Sequence, residues 1–160
     1  MIAGVGYPNM RDLSVGPVLV SKLHDMAWPE GVDIDDWSFG PIAVVQRLED
    51  RPRYYDRIVL LSAVERGREP GSVTCSRWDG ALPDAEEIQA RVGEAVMGII
   101  SLDNLLIVGQ QFGAWPRDVR VVEVEPDTCE FGLDFSARIA ASLDEVVVAV
   151  RQAALDEDRG

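Results

Sequence analysis

The sequence of 160 residues is poor in the side chains that build disulfides and metal sites. It contains one histidine, His24, and two cysteines, Cys75 and Cys129, which lie far apart in the chain. Two isolated thiols are more typical of small buried residues than of a disulfide or a metal site. His24 lies beside the apolar stripe of a predicted helix, which favours a place at the surface or at its boundary.

The sequence also lacks long apolar runs and an excess of positive charge. A transmembrane helix needs about 18 consecutive apolar residues, and no such run is present. No basic region precedes the first apolar residues, as a secretory signal requires. Aspartate and glutamate outnumber lysine and arginine by 28 to 15, and the formal net charge of −13 disfavours nucleic acid as a partner. We therefore expect a cytoplasmic protein without membrane insertion.

Strand and helix signals alternate along the chain. The first strand includes Ile2, Ala3 and Val5, and the helix after it is predicted to begin near Ser14 as its N-cap. The apolar face of that helix is predicted to consist of Val15, Val18, Leu19, Leu23 and Met26. The later segments are a strand at 32–36, a helix from 41, a buried strand at 57–64, an edge strand at 71–78, two short helices within 81–113, a strand at 119–124 and a helix from 136.

This alternation predicts a single three-layer α/β domain over residues 1–155. We expect a twisted, mostly parallel sheet of about five strands with helices on both faces. A charged and frayed tail, 156–160, follows the last helix.

Carboxylates follow the first two strands and are the candidate catalytic residues. In open parallel sheets, ligand-contacting residues gather in the loops at the carboxyl ends of the strands. Asp12 lies in the first such loop and Asp36 in the second. The structural alternative for Asp12 is a solvated carboxylate near a helix N-terminus. Two carboxylates are too few for an oxygen-only cation site, so both are weak candidates.

Two other features are weak signals of chemistry. The turn Gly4-Val5-Gly6 resembles part of a dinucleotide-binding fingerprint, but its third glycine is replaced by Asn9, and a tight turn explains the two glycines. Ser62 ends a strand where a nucleophile is possible, but the single histidine is badly placed to act as its base. A small polar residue at the end of a buried strand is the simpler interpretation of Ser62.

A series of short motifs is spread in order along nearly the whole chain. They are Gly4-Val5-Gly6 with Asp12 and Gly16, the strand end at Asp36, Pro70-Gly71-Ser72, Gly113-Ala114-Trp115-Pro116, Val124-Glu125-Pro126 and Gly132-Leu133. In this order and spacing they resemble the hydrogenase maturation proteases. The resemblance implies an α/β fold and a cytoplasmic endopeptidase. Such an enzyme removes a C-terminal extension from the large subunit of a nickel–iron hydrogenase, and the cleavage depends on nickel already inserted in that substrate.

The resemblance also implies where the metal ligands of the family should lie. They are an acidic residue in the first loop, an aspartate at the end of the third strand and a histidine ahead of a later helix. In this sequence these positions fall on Leu13, Ser62 and Gly98, and a family asparagine falls on Tyr7. Leucine, serine and glycine do not supply the carboxylate and imidazole donors that hold a divalent first-row metal. The ligand positions are therefore degenerate, and we expect no nickel site of the family type.

The leading hypothesis from the sequence is a non-catalytic maturation factor, a pseudoenzyme with a binding or chaperone role. Its partner would be a nickel–iron hydrogenase large subunit or another maturation factor. Tyr7, Trp37 and Phe39 lie in the first two strand-end loops and form the candidate partner-binding patch. Ordinary packing of these aromatic rings over the core is an equally good interpretation.

Two alternatives remain open from the sequence. One is an active processing endopeptidase that uses substrate-held nickel together with Asp12 and Asp36. The other is a nucleotide-binding domain that uses the Gly4-Val5-Gly6 turn.

Overall fold

The strands form one sheet in the computed structural model, which describes residues 1–156. The predicted tail lies outside the described residues except for Asp156. The strands of this part of the chain are β1 (Ile2–Gly4), β2 (Ile34–Asp36), β3 (Arg57–Ala63), β4 (Val73–Arg77) and β5 (Asp118–Val124). Their order is β2-β1-β3-β5-β4, with β4 antiparallel to β5 at one edge and the other neighbours parallel. The predicted five-stranded, mostly parallel sheet is confirmed.

Helices cover both faces of this sheet, as predicted. They are α1 (Val15–His24), α2 (Pro41–Asp50), α3 (Ala85–Val96), α4 (Leu102–Gln111) and α5 (Ala137–Leu155). One face packs against α1 and α5, and the other against α2 and α4, with α3 packed beside α4. Within residues 1–156, no helix combines the length and the apolarity that crossing a membrane requires.

Strand β3 lies at the centre of the sheet and explains the longest apolar run of the sequence. Val59 and Leu61 face the layer of α1 and α5, whereas Ile58 and Leu60 face the layer of α2 and α4. All four are buried, because a central parallel strand contacts helices on both sides. The two core clusters therefore meet at this strand.

The start of the first helix differs from the prediction. A short 3-10 helix, Arg11–Ser14, precedes α1, and the hydroxyl of Ser14 donates to the carbonyl oxygen of Arg11 instead of capping α1. Val18, expected on the buried face, is 48% exposed, and Val20 is buried in its place. Helix α4 does have a side-chain cap, since the Oγ of Ser101 accepts a hydrogen bond from the backbone N–H of Asn104.

The prediction that both cysteines are buried was wrong. Cys75 is exposed and Cys129 is half-buried, and both are free thiols. Cys75 lies on the edge strand β4, where one side of the sheet faces solvent, and Cys129 lies in the loop that follows β5. His24 is exposed at the end of α1.

Arg57 ties the amino end of β3 to the end of α5. Its guanidinium pairs with Asp118 on the neighbouring strand and donates to the carbonyl oxygens of Ala153, Ala154 and Asp156. The last carbonyls of a helix have no partner within the helix, so these bonds stabilise the end of α5. The burial of Asp118 raises its pKa, but the hydrogen bonds from Arg120 and Arg57 outweigh burial and hold that pKa below the ordinary value.

Candidate functional site

The loops at the carboxyl edge of the sheet contact one another and form a continuous surface. The backbones of Arg11 and Gly132 are hydrogen-bonded at 3.0 Å, and the hydroxyl of Tyr7 accepts a hydrogen bond from the backbone N–H of Ile100 at 3.1 Å. The Cα of Gly98 lies 3.6 Å from the place where a side chain on Gly40 would begin. We call these loops, residues 5–14, 37–40, 97–101 and 126–136, the carboxyl-edge surface.

The glycines of the first loop allow α1 to pack very close to β1. A Cβ atom on Gly4 would lie 2.3 Å from the carbonyl oxygen of Gly16, and one on Gly6 would lie 2.2 Å from that of Leu13. Neither distance is compatible with a side chain. The Gly4-Val5-Gly6 motif is therefore explained by close backbone contact with the segment that enters α1.

The same turn offers no phosphate cradle. The backbone N–H groups of Val5 and Tyr7 donate to carbonyl oxygens, and that of Gly6 donates to the hydroxyl of Ser38 at 3.1 Å. A dinucleotide fingerprint works because such N–H groups point at the pyrophosphate. Here the N–H groups already donate to acceptors within the protein, so the geometry lends no support to nucleotide binding at this turn.

Asp12 is fully buried and joins the first loop to the loop that follows β5. One carboxylate oxygen accepts from the backbone N–H groups of Asp127 and Thr128 at 2.9 and 3.0 Å, and the other accepts from that of Ser136 at 2.8 Å. Burial raises the pKa of Asp12, but these hydrogen bonds, led by that of Ser136, outweigh it and lower the pKa below its ordinary value. Asp12 is thus a buried carboxylate with a structural role, and the expectation of a solvated carboxylate was wrong.

Asp36 has a local structural role. It is half-buried, and its Oδ1 accepts from the backbone N–H of Ser38 at 2.9 Å, which stabilises the turn after β2. Within residues 1–156, no group of three or more His, Cys, Asp or Glu side chains is placed to hold a metal ion. The two candidate carboxylates are therefore not assembled into a cation site.

The side chains at the three positions that the resemblance assigns to metal ligands do not suit a nickel ion. Leu13 is half-buried and packs against the core, and Ser62 is 3% exposed, with its hydroxyl 3.5 Å from the carbonyl oxygen of Ala63. Gly98 adopts a left-handed backbone with φ of 78°, which a histidine would adopt only with strain. No carboxylate or imidazole comes from any of these positions.

The three aromatic residues of the candidate partner patch lie in different environments. Trp37 is 3% exposed, packs in the core and donates from its Nε1 to Asp35, so its ring is unavailable at the surface. Phe39 is half-buried beneath the guanidinium of Arg47, 4.5 Å from its ring centroid. Tyr7 is 37% exposed. Tyr7 and Phe39 therefore remain accessible to a partner. Trp37 packs in the core instead, which was the alternative interpretation.

The most exposed apolar side chains of this surface are not among the predicted partner-binding residues. Phe131, Leu133 and Met97 are 82%, 76% and 74% exposed, and the first two flank Gly132. A side chain at Gly132 would lie 2.9 Å from the Cγ of Arg11, so the loop is held closely against the first loop. Exposed apolar side chains grouped on one surface are typical of interaction sites. The signal in the sequence was the pair of large apolar residues around a glycine in an otherwise polar loop.

A network of charges holds the loop between β3 and β4 over the carboxyl edge. Arg66 binds Asp103 through two hydrogen bonds of 2.7 and 2.9 Å and also binds Glu123 at 2.6 Å. Arg68 donates to the other oxygen of Glu123, and the carboxylate of Glu125 accepts from the backbone N–H of Arg66. Asp103, Glu123 and Glu125 are thus engaged in ion pairs and loop hydrogen bonds.

Fold and site together define an α/β domain whose carboxyl-edge loops are hydrogen-bonded to one another and carry exposed apolar side chains, and within residues 1–156 no cluster of metal ligands is assembled. No family profile and no curated protein matches the sequence. Solved structures do match. The hydrogenase 2 maturation peptidase of a Thaumarchaeota archaeon is 25% identical, with a TM-score of 0.65 over 98% of this chain and 97% of that one.

Two structures from Escherichia coli are similar over nearly the same length. An endopeptidase is 21% identical, with a TM-score of 0.66 over 98% of this chain and 94% of that one. The hydrogenase maturating endopeptidase HybD is 19% identical, with a TM-score of 0.62 over 95% and 91%. This chain therefore has the fold of the hydrogenase maturation proteases.

Proposed function

We propose that this protein is a cytoplasmic hydrogenase maturation factor that binds its partner without cleaving it. The partner is a nickel–iron hydrogenase large subunit or another assembly factor. The observation that carries this proposal is that Leu13, Ser62 and Gly98 occupy the positions that the resemblance assigns to the metal ligands. Asp12, the carboxylate nearest in sequence to the first of them, is committed to three backbone hydrogen bonds.

The metal half of the proposal is tested by titrating nickel into the tag-free chain in a calorimeter. We expect no saturable heat in the micromolar range, because the site lacks the carboxylate and imidazole donors that first-row metals need. The matched variant Asp36→Asn should give the same trace as the wild type. Stoichiometric micromolar binding to the wild type would contradict a degenerate site.

The partner half predicts that apolar side chains of the carboxyl-edge surface contribute to binding. The double variant Phe131→Ser/Leu133→Ser should co-purify at least tenfold less with a hydrogenase large subunit encoded beside its own gene. Exposed aromatic and aliphatic anchors commonly contribute about 1–2 kcal/mol each to an interface. Folding should be unaffected, because both side chains are largely exposed.

The matched control for this binding experiment is Val148→Ser on α5. Val148 is 52% exposed and lies outside the carboxyl-edge surface. It should co-purify like the wild type. Equal loss of binding in both variants, or full binding by the double variant, would contradict a partner site at this edge.

A further inference from the structure

Phe131 and Leu133 are presented together to solvent on the carboxyl-edge surface. Gly132, between them, is bridged to the first loop, because its N–H donates to the carbonyl oxygen of Asn9 at 2.8 Å and its carbonyl oxygen accepts from the N–H of Arg11 at 3.0 Å. Successive side chains of such a segment point to opposite sides. A side chain on Gly132 would face Arg11, so Phe131 and Leu133 face the other way and are largely exposed. We call these two residues, roughly 7 Å apart along the segment, the apolar pair.

Exposed carboxylates lie in the same loop as the apolar pair. From residue 121 to residue 137 the chain has five acidic residues and neither lysine nor arginine. The last three of the five, Asp127, Glu130 and Asp134, are exposed, and none of them is in an ion pair within residues 1–156. Glu130 and Asp134 directly flank the apolar pair in the sequence. Each end of the pair therefore lies next to a carboxylate that has no cation as its partner in this part of the chain.

Few positive charges offset these carboxylates. Arg11 is the single basic residue among the residues of the carboxyl-edge surface, and it is half-buried, with its Nε donating to the backbone carbonyl oxygen of Asp134 at 3.1 Å. Outside this surface, Arg66, Arg68 and Arg138 are each engaged in ion pairs. One cation thus stands against three exposed carboxylates, and the surroundings of the apolar pair carry a net negative charge.

The thiol of Cys129, in the same loop, is affected by further carboxylates. Burial raises the pKa of Cys129, and the charges of Glu65, Asp12 and Glu125 raise it further. All three of these carboxylates lie outside the exposed set described above. They add to the negative potential of this part of the surface, which attracts cationic groups and repels anionic ones.

We propose that this surface binds a partner segment in which lysine or arginine residues flank a large apolar side chain. The apolar side chain packs against Phe131 and Leu133, and the cations pair with Glu130 and Asp134. Exposed apolar side chains alone would also suit a membrane, but the carboxylates repel anionic lipid headgroups, which favours a basic protein segment. This inference rests on the proposed function, because it names the chemistry of the segment that the same surface takes from its partner.

The test is a titration of the isotope-labelled full chain, followed by nuclear magnetic resonance. The probe is a synthetic peptide of about eight residues, roughly 26 Å long when extended, in which lysines flank two leucines. We expect saturable shift changes in residues 127–134 and 7–13. A peptide with glutamate in place of lysine should cause none, and one with serine in place of leucine should bind about tenfold more weakly. Equal binding of either control peptide, or co-sedimentation of the chain with phosphatidylserine vesicles, would overturn the proposal.

Neutralising variants separate pairing at this surface from attraction by the acidic chain as a whole. The double variant Glu130→Gln/Asp134→Asn should weaken binding of the lysine peptide about tenfold. The matched control is Asp25→Asn/Glu30→Gln, which also removes two exposed carboxylates, but from the segment between α1 and β2 at the opposite edge of the sheet. It should bind the peptide like the wild type. Equal weakening by the two double variants would overturn the proposal.

Co-purification with the hydrogenase large subunit separates this proposal from the proposed function. If the large subunit binds Glu130→Gln/Asp134→Asn as well as it binds the wild type, the charge pairing is overturned and the proposed function stands. If the lysine peptide binds as expected but no large subunit co-purifies with the wild type, the proposed function fails and the preference for a basic, apolar segment stands.

Discussion

Replacing Asp12 with alanine is expected to lower the free energy of unfolding by about 4 kcal/mol. The carboxylate is fully buried and accepts three backbone hydrogen bonds from a distant part of the chain. Without it those N–H groups lose their partner in a place that water does not reach freely, and each unsatisfied buried group costs about 1–3 kcal/mol. Chemical denaturation followed by far-ultraviolet circular dichroism measures this loss.

Asp36→Ala is the matched control for this prediction. Asp36 is half-buried and accepts one backbone hydrogen bond from Ser38 through its side chain. Its replacement should therefore cost only about 1 kcal/mol. If the two variants lose equal stability, the assignment of Asp12 as the buried anion that joins two loops is wrong.

The contribution of Asp12 should depend on pH in a defined direction. Its folded-state pKa lies below the ordinary value of 3.8, so its stabilisation is complete above that value and is lost as the pH falls through the folded pKa. The difference in unfolding free energy between the wild type and Asp12→Asn should therefore shrink as the pH falls below about 4. A difference that grows in acid would contradict the lowered pKa.

Gly16→Ala is expected to cost about 4 kcal/mol or more, or to prevent folding. A Cβ atom at this position would lie 2.5 Å from both the nitrogen and the carbonyl oxygen of Val5, and 2.7 Å from the carbonyl oxygen of Leu61. These are backbone atoms of the sheet and its first loop, and they cannot avoid the contact by a change of rotamer as a side chain can. Helix α1 would have to move away from β1 and β3. Thermal unfolding of the purified variant, or its recovery in the insoluble fraction, measures the effect.

Gly93→Ala in α3 provides the control, since it makes the same chemical change within a helix. A Cβ atom at Gly93 would meet nothing within 4 Å. This substitution should stabilise the protein by about 1 kcal/mol, because alanine is the better helix former. Destabilisation of similar size in both variants would show that close backbone contact is not the reason for Gly16.

Local sequence patterns predicted the framework of the fold well. The apolar run at 57–64 predicted the central strand, because a strand covered on both faces needs apolar residues on both. A helix was predicted from residue 136, and the structure has one there whose first turn is capped by the hydroxyl of Ser136, which accepts a hydrogen bond from the backbone N–H of Ile139. These features depend on neighbours within a few residues, which a single sequence displays directly.

The functions of the site residues depended on contacts that the sequence does not display. The partners of Asp12 lie at positions 127, 128 and 136, more than a hundred residues away, so its burial was not visible. For Trp37 the sequence left a surface patch and packing over the core equally open, and its ring lies in the core. Phe131 was overlooked because a short apolar segment in a loop has no period that distinguishes exposed from buried residues.

The proposed binding of a hydrogenase partner without cleavage is tested most directly by the intact mass of that partner. A nickel-loaded large-subunit precursor is incubated with a stoichiometric amount of the chain, and its mass is measured by mass spectrometry. With Leu13, Ser62 and Gly98 at the ligand positions, we predict an unchanged mass. Shortening of the precursor by its C-terminal extension would contradict the proposal and would establish an active endopeptidase.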